Sequence, residues 1–177
     1  MVVRAATPDD APAIARIHVE TWRTAYRGIV PDDFLASLSV EARERRWAGV
    51  LGREGGDEFV YVAEDEGGQV IGFASGGPEQ SGDPDYKGEL YTLYVLQGRQ
   101  GRGHGRHLLG AVARRLAARG IGSLLLWVLA EGPARPFYEA VGGRRLRVKQ
   151  ITIGGATLDE VAYGWPDTTP LRRAAER

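Results

Sequence analysis

The segment QGRQGRGHGRHLLG, residues 97–110, alternates glycine with arginine immediately before a helical pattern of leucines. Glycine has no Cβ, so its backbone N–H can approach a ligand closely, and the first turn of a helix carries partial positive charge. A phosphate or pyrophosphate group needs both features from a protein. The segment predicts an anion-binding loop, and a flexible loop with solvated arginines is the plain alternative.

Two common phosphate-binding motifs do not fit this loop. A P-loop requires Gly-Lys-Ser/Thr after its spacer, and the nearest lysine, Lys87, precedes the strand before the loop. A dinucleotide-binding turn follows the first strand of a βαβ unit and has an acidic residue about 20 residues later. Residues 120–127 contain no acid and the loop follows several strands, so neither motif describes it.

The elements that must position the loop follow one another without a linker or repeat. Strand patterns occupy residues 2–7, 58–78 around the Gly67–Gly68 turn, 87–96, 123–129 and 145–165 around Gly154–Gly155. Five helical patterns begin at Thr7, at Pro31, at Ser39, directly after the glycine loop and at Pro133. Gly28 ends the first of these helices, and Gly120 ends the fourth. We predict a single domain over residues 1–166 and a loose polar C-terminal tail over residues 167–177.

Composition narrows the classes of function. The 177 residues include 23 Lys and Arg against 23 Asp and Glu, so no bulk charge attracts nucleic acid or an anionic membrane. The absence of cysteine excludes disulfides and a cysteine-bound acyl intermediate, and three scattered histidines do not indicate a metal site. With no long apolar run and no secretory signal, we expect a cytoplasmic protein that binds no nucleic acid, membrane or metal.

QGRGHG, residues 100–105, resembles the Gln/Arg-x-x-Gly-x-Gly/Ala signature of the GNAT superfamily of N-acetyltransferases. The resemblance extends upstream through ELYTLYV and downstream to ARPFYEAVGG, and the order of elements agrees over residues 2–165. It implies the α+β GNAT fold, in which a mixed, mostly antiparallel sheet of about seven strands has helices on both faces. It also implies acetyl-coenzyme A as co-substrate.

The resemblance assigns the cofactor to two neighbouring segments. Main-chain groups of Leu93, Tyr94 and Val95 would hold the pantetheine arm, with the Val95 N–H directed at the thioester carbonyl. The pyrophosphate would lie on the loop and first helical turn, formed by Gln100, Gly101, Arg102, Gly103, His104, Gly105 and Arg106. The family often has Asn seven residues before the tyrosine of its aromatic helix. Glu131 stands there in this chain, and an ionised Glu only accepts hydrogen bonds.

Acetyl transfer to an amine poses two proton problems. An alkylammonium with a pKa of about 10.4 must lose a proton, and the departing thiolate must gain one. The resemblance makes Tyr138, in the FYE motif, the acid that protonates sulfur; an aromatic packing residue is the alternative. Glu89 is the candidate base, on the face of its strand that also carries Leu93 and Val95 by alternation. A solvated carboxylate at the strand end is an equal alternative.

The acceptor is less determined. The first helix ends near Trp22 and Tyr26, and the resemblance implies that they wall the acceptor site, although core packing is favoured for Trp22. We expect direct transfer, in a ternary complex, to a small-molecule amine or a peptide N-terminus. A catalytically degenerate GNAT domain that binds coenzyme A as a sensor, and an unrelated phosphate-ligand binder, are the competing interpretations.

The last two strands, residues 144–165, predict an assembly surface. Leu146, Val148, Ile151 and Ile153 give the first arm an apolar face, and we expect the second arm to form the free edge of the sheet. Many GNAT relatives dimerise through their C-terminal strands, so the resemblance implies a symmetric homodimer. A monomer whose tail covers that face is the alternative.

Overall fold

The computed structural model describes residues 2–174, which form one sheet with helices on both faces. The strands in this range are β1 (Val2–Ala5), β2 (Phe59–Glu64), β3 (Val70–Pro78), β4 (Gly88–Val95), β5 (Leu124–Leu129), β6 (Arg144–Ile153) and β7 (Ala156–Trp165). The helices in this range are α1 (Ala11–Ala25), α2 (Asp32–Ser37), α3 (Val40–Leu51), α4 (His104–Ala118), α5 (Arg135–Ala140) and α6 (Thr169–Ala174).

The seven strands lie in the order β1-β2-β3-β4-β5-β7-β6. The β4–β5 pair is parallel and the other neighbours are antiparallel, which confirms the predicted α+β fold with a mixed, mostly antiparallel sheet. The expected position of the free edge is wrong. After its hairpin turn β7 returns to pair with β5, so β7 is bonded on both sides and the first arm, β6, forms the edge.

Helix α4 covers one face of the sheet, and α1 and α3 cover the other. On the α4 side Leu108, Leu109 and Leu116 pack against Leu124 and Leu126 of β5, all almost fully buried. On the opposite side Ile14 and Ile17 of α1 and Trp47 of α3 pack against Val62 and Phe73. The helical periodicity of leucine and isoleucine in the sequence therefore corresponds to two separate cores with the sheet between them.

Strands β4 and β5 share only the register pairs Gly88–Leu124, Glu89–Leu125 and Leu90–Leu126. Beyond Leu90 the strand β4 continues to Val95 without a β5 partner, and beyond Leu126 the strand β5 continues to Leu129 without a β4 partner. The sheet thus parts in its middle while its outer strands stay paired.

A bulge in β4 changes which residues share a face. Pairing with β3 steps from Ser75–Thr92 to Gly76–Leu90, so Tyr91 has no partner in the register. As a result Leu90 joins Leu93 and Val95 in the core on the α4 side. Glu89, one residue earlier, faces the α1 side, and the expectation that it shares a face with Leu93 and Val95 is wrong.

The C-terminal segment is also more ordered than expected. Residues 169–174 form α6, which packs against α4, and Leu171 is buried in the main core. Asp167 accepts a hydrogen bond from the Thr169 N–H at 2.8 Å, and the Thr168 N–H donates to the Gly122 carbonyl at 2.9 Å. Asp167 two residues before the Thr169-Pro170 pair is a helix-start pattern. The prediction of a loose tail missed this signal, and residues 175–177 lie outside the described part.

Replacing Leu171 with Ala should lower the free energy of unfolding by about 2–5 kcal/mol, because it opens a cavity between α6 and the core. Denaturant unfolding measures the change. Arg173→Ala, an exposed position on the same helix, is the matched control and should stay within about 0.5 kcal/mol of the parent. Equal midpoints for both variants would mean that α6 adds nothing to the fold.

Candidate active site

The parting of β4 and β5 opens a cavity of about 630 Å³. Its walls come from the unpaired ends of both strands, the glycine loop, the start of α4, α5 and the end of α1. The predicted site residues that line it are Tyr26, Leu93, Tyr94, Val95, Gln100, Gly101, Gly103, His104, Gly105, Arg106 and Tyr138. Trp22, Glu89, Arg102 and Glu131 do not line it, and Glu131 is exposed in the turn after β5.

The backbone of Val95 faces the gap. In an antiparallel pair, opposed residues alternate between exchanging hydrogen bonds and pointing their backbone groups away. The Leu96 N–H donates to the Ile71 carbonyl at 3.0 Å, so the preceding pair, Val95–Gly72, is of the outward type. The Val95 N–H and carbonyl therefore point away from β3, toward the side where β5 has diverged. This is the strand edge that a peptide-like ligand needs.

The side chain of Gln100 ties the loop to β4. Its Nε2 donates to the Val95 carbonyl at 2.9 Å, across the same open edge. The sequence assigned Gln100 to cofactor binding, and the structure gives its amide group a positioning contact. This bond occupies one lone pair of the Val95 carbonyl, and the Val95 N–H has no partner in the β4–β5 register.

The three loop glycines serve different purposes. Gly101 and Gly103 have φ angles of +75° and +86°, a region that residues with a Cβ adopt only under strain. Gly105 has an ordinary backbone, but a Cβ there would come within 3.2 Å of Cζ of Phe137 on α5. The first two glycines shape the loop, and the third lets α4 and α5 approach each other beside the cavity.

Positive charge at this end of the cavity comes from arginine and from the helix. Arg106 lines the cavity, Arg102 is exposed beside it, and the fifteen-residue α4 begins there. Burial lowers the pKa of His104, and the neighbouring Arg102 and His107 lower it further. His104 is therefore predominantly neutral at pH 7, and the arginines and the helix dipole supply the attraction for an anion.

Tyr138 stands on α5 at the other end of the gap. The residue is 5% exposed, and its ring lies 5.1 Å from that of Phe137 and 6.3 Å from that of Tyr163. Burial raises the pKa of Tyr138 above its usual value, and the nearby Tyr94 raises it further. The phenol lines the cavity and keeps its proton at neutral pH, as a proton donor must.

Two aromatic residues at the end of α1, Trp22 and Tyr26, pack beside the cavity. The Trp22 Nε1 donates to the Tyr94 hydroxyl at 3.0 Å, and the Trp22 and Tyr26 rings meet edge to face at 4.9 Å. Trp22 thus fixes Tyr94 from behind, whereas Tyr26 reaches the cavity. Burial raises the pKa of Tyr26, and the nearby Tyr94, Tyr138 and Glu160 raise it further. The phenols of Tyr26, Tyr94 and Tyr138 therefore lie close to one another.

Glu89 lies on the α1 side of the sheet, next to the lining. Burial raises the pKa of its carboxyl above the usual range; the N–H of Gln80, which donates to Oε2 at 3.2 Å, lowers it again in part. Glu79 and Glu160 raise the pKa and Lys149 lowers it. A carboxylate with a raised pKa is a stronger base than a solvated one.

Among the lining residues that the sequence did not predict are Thr21, Tyr91 and Trp127. Thr21 of α1 is 8% exposed, and its Oγ1 has no hydrogen-bond partner among the described residues. The Tyr91 hydroxyl donates to the Pro78 carbonyl at 2.5 Å, and burial raises the pKa of Tyr91 to about 12. Trp127 of β5 lines the cavity from the α1 side. The only sequence signal was a tryptophan at an alternate position of an otherwise aliphatic strand.

Comparison with known proteins decides the family. The model of the acetyltransferase (GNAT) family matches residues 14–142. The chain belongs to the GNAT family of acetyltransferases. It is 40% identical over 177 residues to the uncharacterized N-acetyltransferase YuaI of Bacillus subtilis, covering 100% of this chain and 99% of that one.

Solved GNAT structures share this fold. The ribosomal-protein-alanine N-acetyltransferase of Brucella melitensis superposes with a TM-score of 0.71 at 26% identity, covering 93% of this chain and 99% of that one. The PaiA N-acetyltransferase of Thermoplasma acidophilum, solved in complex with coenzyme A, gives 0.73 at 18% identity, covering 93% and 100%. Within residues 2–174 of this acetyltransferase no helix is long and apolar enough to cross a membrane, and no His, Cys, Asp and Glu side chains group as metal ligands.

Replacing Gly103 with Val should abolish coenzyme A binding, because a branched side chain at φ +86° would misdirect the N–H groups of the loop. Isothermal titration calorimetry with coenzyme A measures the loss. Gly120→Val is the matched control, since Gly120 has φ +78° and open space at the other end of α4. Both variants carry similar strain, and unchanged affinity in Gly103→Val would remove the anion-binding role of the loop.

Proposed function

We propose that this GNAT acetyltransferase transfers the acetyl group of acetyl-coenzyme A directly to an amine within a ternary complex. The observation that carries the proposal is the arrangement around one cavity of the Val95 N–H, the arginine-bearing loop and the buried Tyr138 hydroxyl. The PaiA structure with coenzyme A, which has the same fold, supports this choice of cofactor. The chain has no cysteine, so no cysteine carries the acetyl group between the two substrates.

The cofactor fits the two halves of the cavity. Its pyrophosphate would lie on the N–H groups of the glycine loop and the start of α4, next to Arg106. Its pantetheine arm would run along the open edge of β4, where the unpaired backbone of Leu93 and Val95 can bind its amides. The thioester carbonyl would then accept a hydrogen bond from the Val95 N–H, which would stabilise the negative oxygen of the tetrahedral intermediate.

The directions of two pKa shifts support the proposed proton transfers. Glu89 would take a proton from the acceptor ammonium, directly or through a water molecule, and the neutral amine nitrogen would attack the carbonyl carbon. When the intermediate collapses, the C–S bond breaks and Tyr138 would give its proton to the departing sulfur. Burial raises the pKa of both groups, which makes Glu89 more basic and keeps Tyr138 protonated.

The acceptor would enter from the side walled by Tyr26. A small-molecule amine or a peptide N-terminus matches a cavity of this size that also has to hold the thioester arm. The proposal is tested by incubating the protein with acetyl-coenzyme A and a panel of amines and identifying the products by mass spectrometry. Acetylated amine supports it. Tight binding of coenzyme A with no transfer to any amine would favour a sensor domain instead.

Tyr138→Phe should lower kcat roughly tenfold to a thousandfold with little change in affinity for acetyl-coenzyme A, because the variant loses only the proton donor. Steady-state rates of thiol release and calorimetry separate the two effects. Tyr163→Phe is the matched control, since Tyr163 stacks on Tyr138 but its hydroxyl donates to Glu139 instead of lining the cavity. A Tyr138→Phe enzyme with the parent rate would make Tyr138 a packing residue.

The pH dependence of kcat/KM should report Glu89. Because its pKa is raised and the base must be ionised, the rate should fall with decreasing pH in a range above the usual Glu value of about 4.3. Glu89→Gln should lower kcat and remove this acidic limb. Glu66→Gln, an exposed carboxylate in the β2–β3 turn, should keep it. An unchanged limb in Glu89→Gln would assign the titration to another group.

A further inference from the structure

The α1 side of the sheet carries a group of charged and aromatic side chains that the transfer reaction does not explain. We call Trp127 of β5, Lys149 of β6 and Glu160 of β7 the ammonium site. Glu160 lies opposite both Leu129 of β5 and Lys149 in the register, which places the three side chains side by side on one face. Trp127 belongs at the same time to the lining of the cavity.

The ammonium site already holds a cation. The Lys149 Nζ lies 3.9 Å from the centre of the Trp127 ring and 3.6 Å from Oε2 of Glu160. An aromatic face combined with a carboxylate is the arrangement by which proteins bind alkylammonium groups. Lys149 therefore shows which ligand chemistry these two side chains accept.

The two halves of the site differ in exposure. The Glu160 side chain is 15% exposed and belongs to a strand bonded on both sides, whereas the Lys149 side chain is 48% exposed and belongs to the edge strand. The binding surface is thus fixed, and its occupant is the end of a flexible arm that can swing into solvent. A second ammonium of similar reach can replace it.

The ammonium site borders the reacting centre. Tyr26 lines the cavity, and both Tyr138 and Glu160 act on its pKa, so the proposed acid and the carboxylate lie around the same phenol. Glu89 is close enough to Lys149 and Glu160 for both to influence its pKa. Because Trp127 and Tyr138 line the same cavity, a linear acceptor with one end at Trp127 could extend its other end toward Tyr138.

The described charged side chains around Trp127 leave no cation to pair with a carboxylate on the acceptor. Glu89 and Glu160 are acidic, and Arg147, which lies 5.4 Å from the centre of the Trp127 ring, is paired with Asp83. Lys149, which is half-exposed on the edge strand, turns toward solvent when it leaves Glu160. Among the lining residues in the described range, Arg106 is the one lysine or arginine, and it belongs to the phosphate end. An α-amino acid would bring its carboxylate against two glutamates.

We propose that the acceptor is a linear aliphatic diamine without a carboxylate, whose distal ammonium displaces Lys149 from Trp127 and Glu160. The near amine loses its proton to Glu89 and forms the new C–N bond to the acetyl carbon; when the tetrahedral intermediate collapses, the C–S bond breaks and the departing sulfur takes the proton of Tyr138. This proposal rests on the proposed transfer to amines and names the class of amine.

Three acceptors of matched length test the proposal. 1,5-Diaminopentane has both ammonium groups, lysine adds a carboxylate to the same skeleton, and pentylamine lacks the second ammonium. We expect kcat/KM for the diamine to exceed that for each of the other two by roughly threefold to thirtyfold, the range of an ammonium–aromatic contact. Equal values for the diamine and either comparator would overturn the proposal.

Variants of the ammonium site sharpen the test. Glu160→Gln and Trp127→Leu should raise KM for the diamine by a larger factor than KM for pentylamine, and Trp127→Phe should restore part of the loss. Lys149→Met should lower KM for the diamine, because it removes the competing ammonium. Glu66→Gln, distant and exposed, should match the parent. Equal changes with pentylamine would show that Trp127 and Glu160 act on the fold and not on the second ammonium.

A binding measurement separates this proposal from the reaction itself. Calorimetric titration of 1,5-diaminopentane into the coenzyme A complex requires no turnover. Binding to the parent that weakens in Glu160→Gln supports the ammonium site, even if no amine is acetylated. Absent heat, or equal affinity in Glu160→Gln, overturns it, even if other amines are acetylated.

Discussion

Strands β4 and β5 are held together over three register pairs and then separate, and the chemistry of this protein depends on that separation. Parallel pairing of Gly88–Leu90 with Leu124–Leu126 joins the two halves of the sheet through fully buried leucines. Past that point the backbone of β4 has a hydrogen-bonding edge in the middle of the protein, where an unpaired N–H would be costly without a ligand or water. A thioester arm is a ligand that fits such an edge.

The separated strands need supports on both sides, and the structure supplies them from distant parts of the chain. Gln100 fixes the end of β4 to the loop that follows it, and Trp22 fixes the Tyr94 hydroxyl from α1. Helix α4 packs against one face of the sheet, and its first residues line the cavity. Burial also raises the pKa values of Tyr138 and Glu89, so packing and the proposed proton transfers have one physical cause.

Local patterns were sufficient to predict the order of the elements from β1 to β7. Gly120 adopts the left-handed backbone angle expected of a residue that ends a helix, and the leucines of α4 form a core stripe. The register of β4 was beyond that reasoning. A single unpartnered residue, Tyr91, reverses the face of Glu89, and strand alternation read from the sequence contains no sign of it.

Long-range pairing accounts for the other differences. From the sequence Trp127 is one more residue of an apolar strand, and the local pattern contains no sign that β6 and β7 bring Lys149 and Glu160 to the same face. The sequence favours β7 as the free edge because the pairing of β7 with β5 is a long-range contact that local patterns do not reveal. Leu171 belongs to the core through α6, a helix of six residues whose stability comes from packing on α4 and not from its own length.

A crystal structure of the protein with acetyl-coenzyme A is the most direct measurement of the central claim. The account predicts a pantetheine arm between β4 and β5, a pyrophosphate on the loop at Gly101–Gly105, and sulfur within hydrogen-bonding distance of the Tyr138 hydroxyl. The thioester carbonyl should accept a hydrogen bond from the Val95 N–H. A cofactor bound outside the gap, or a thioester turned away from Val95 and Tyr138, would contradict it.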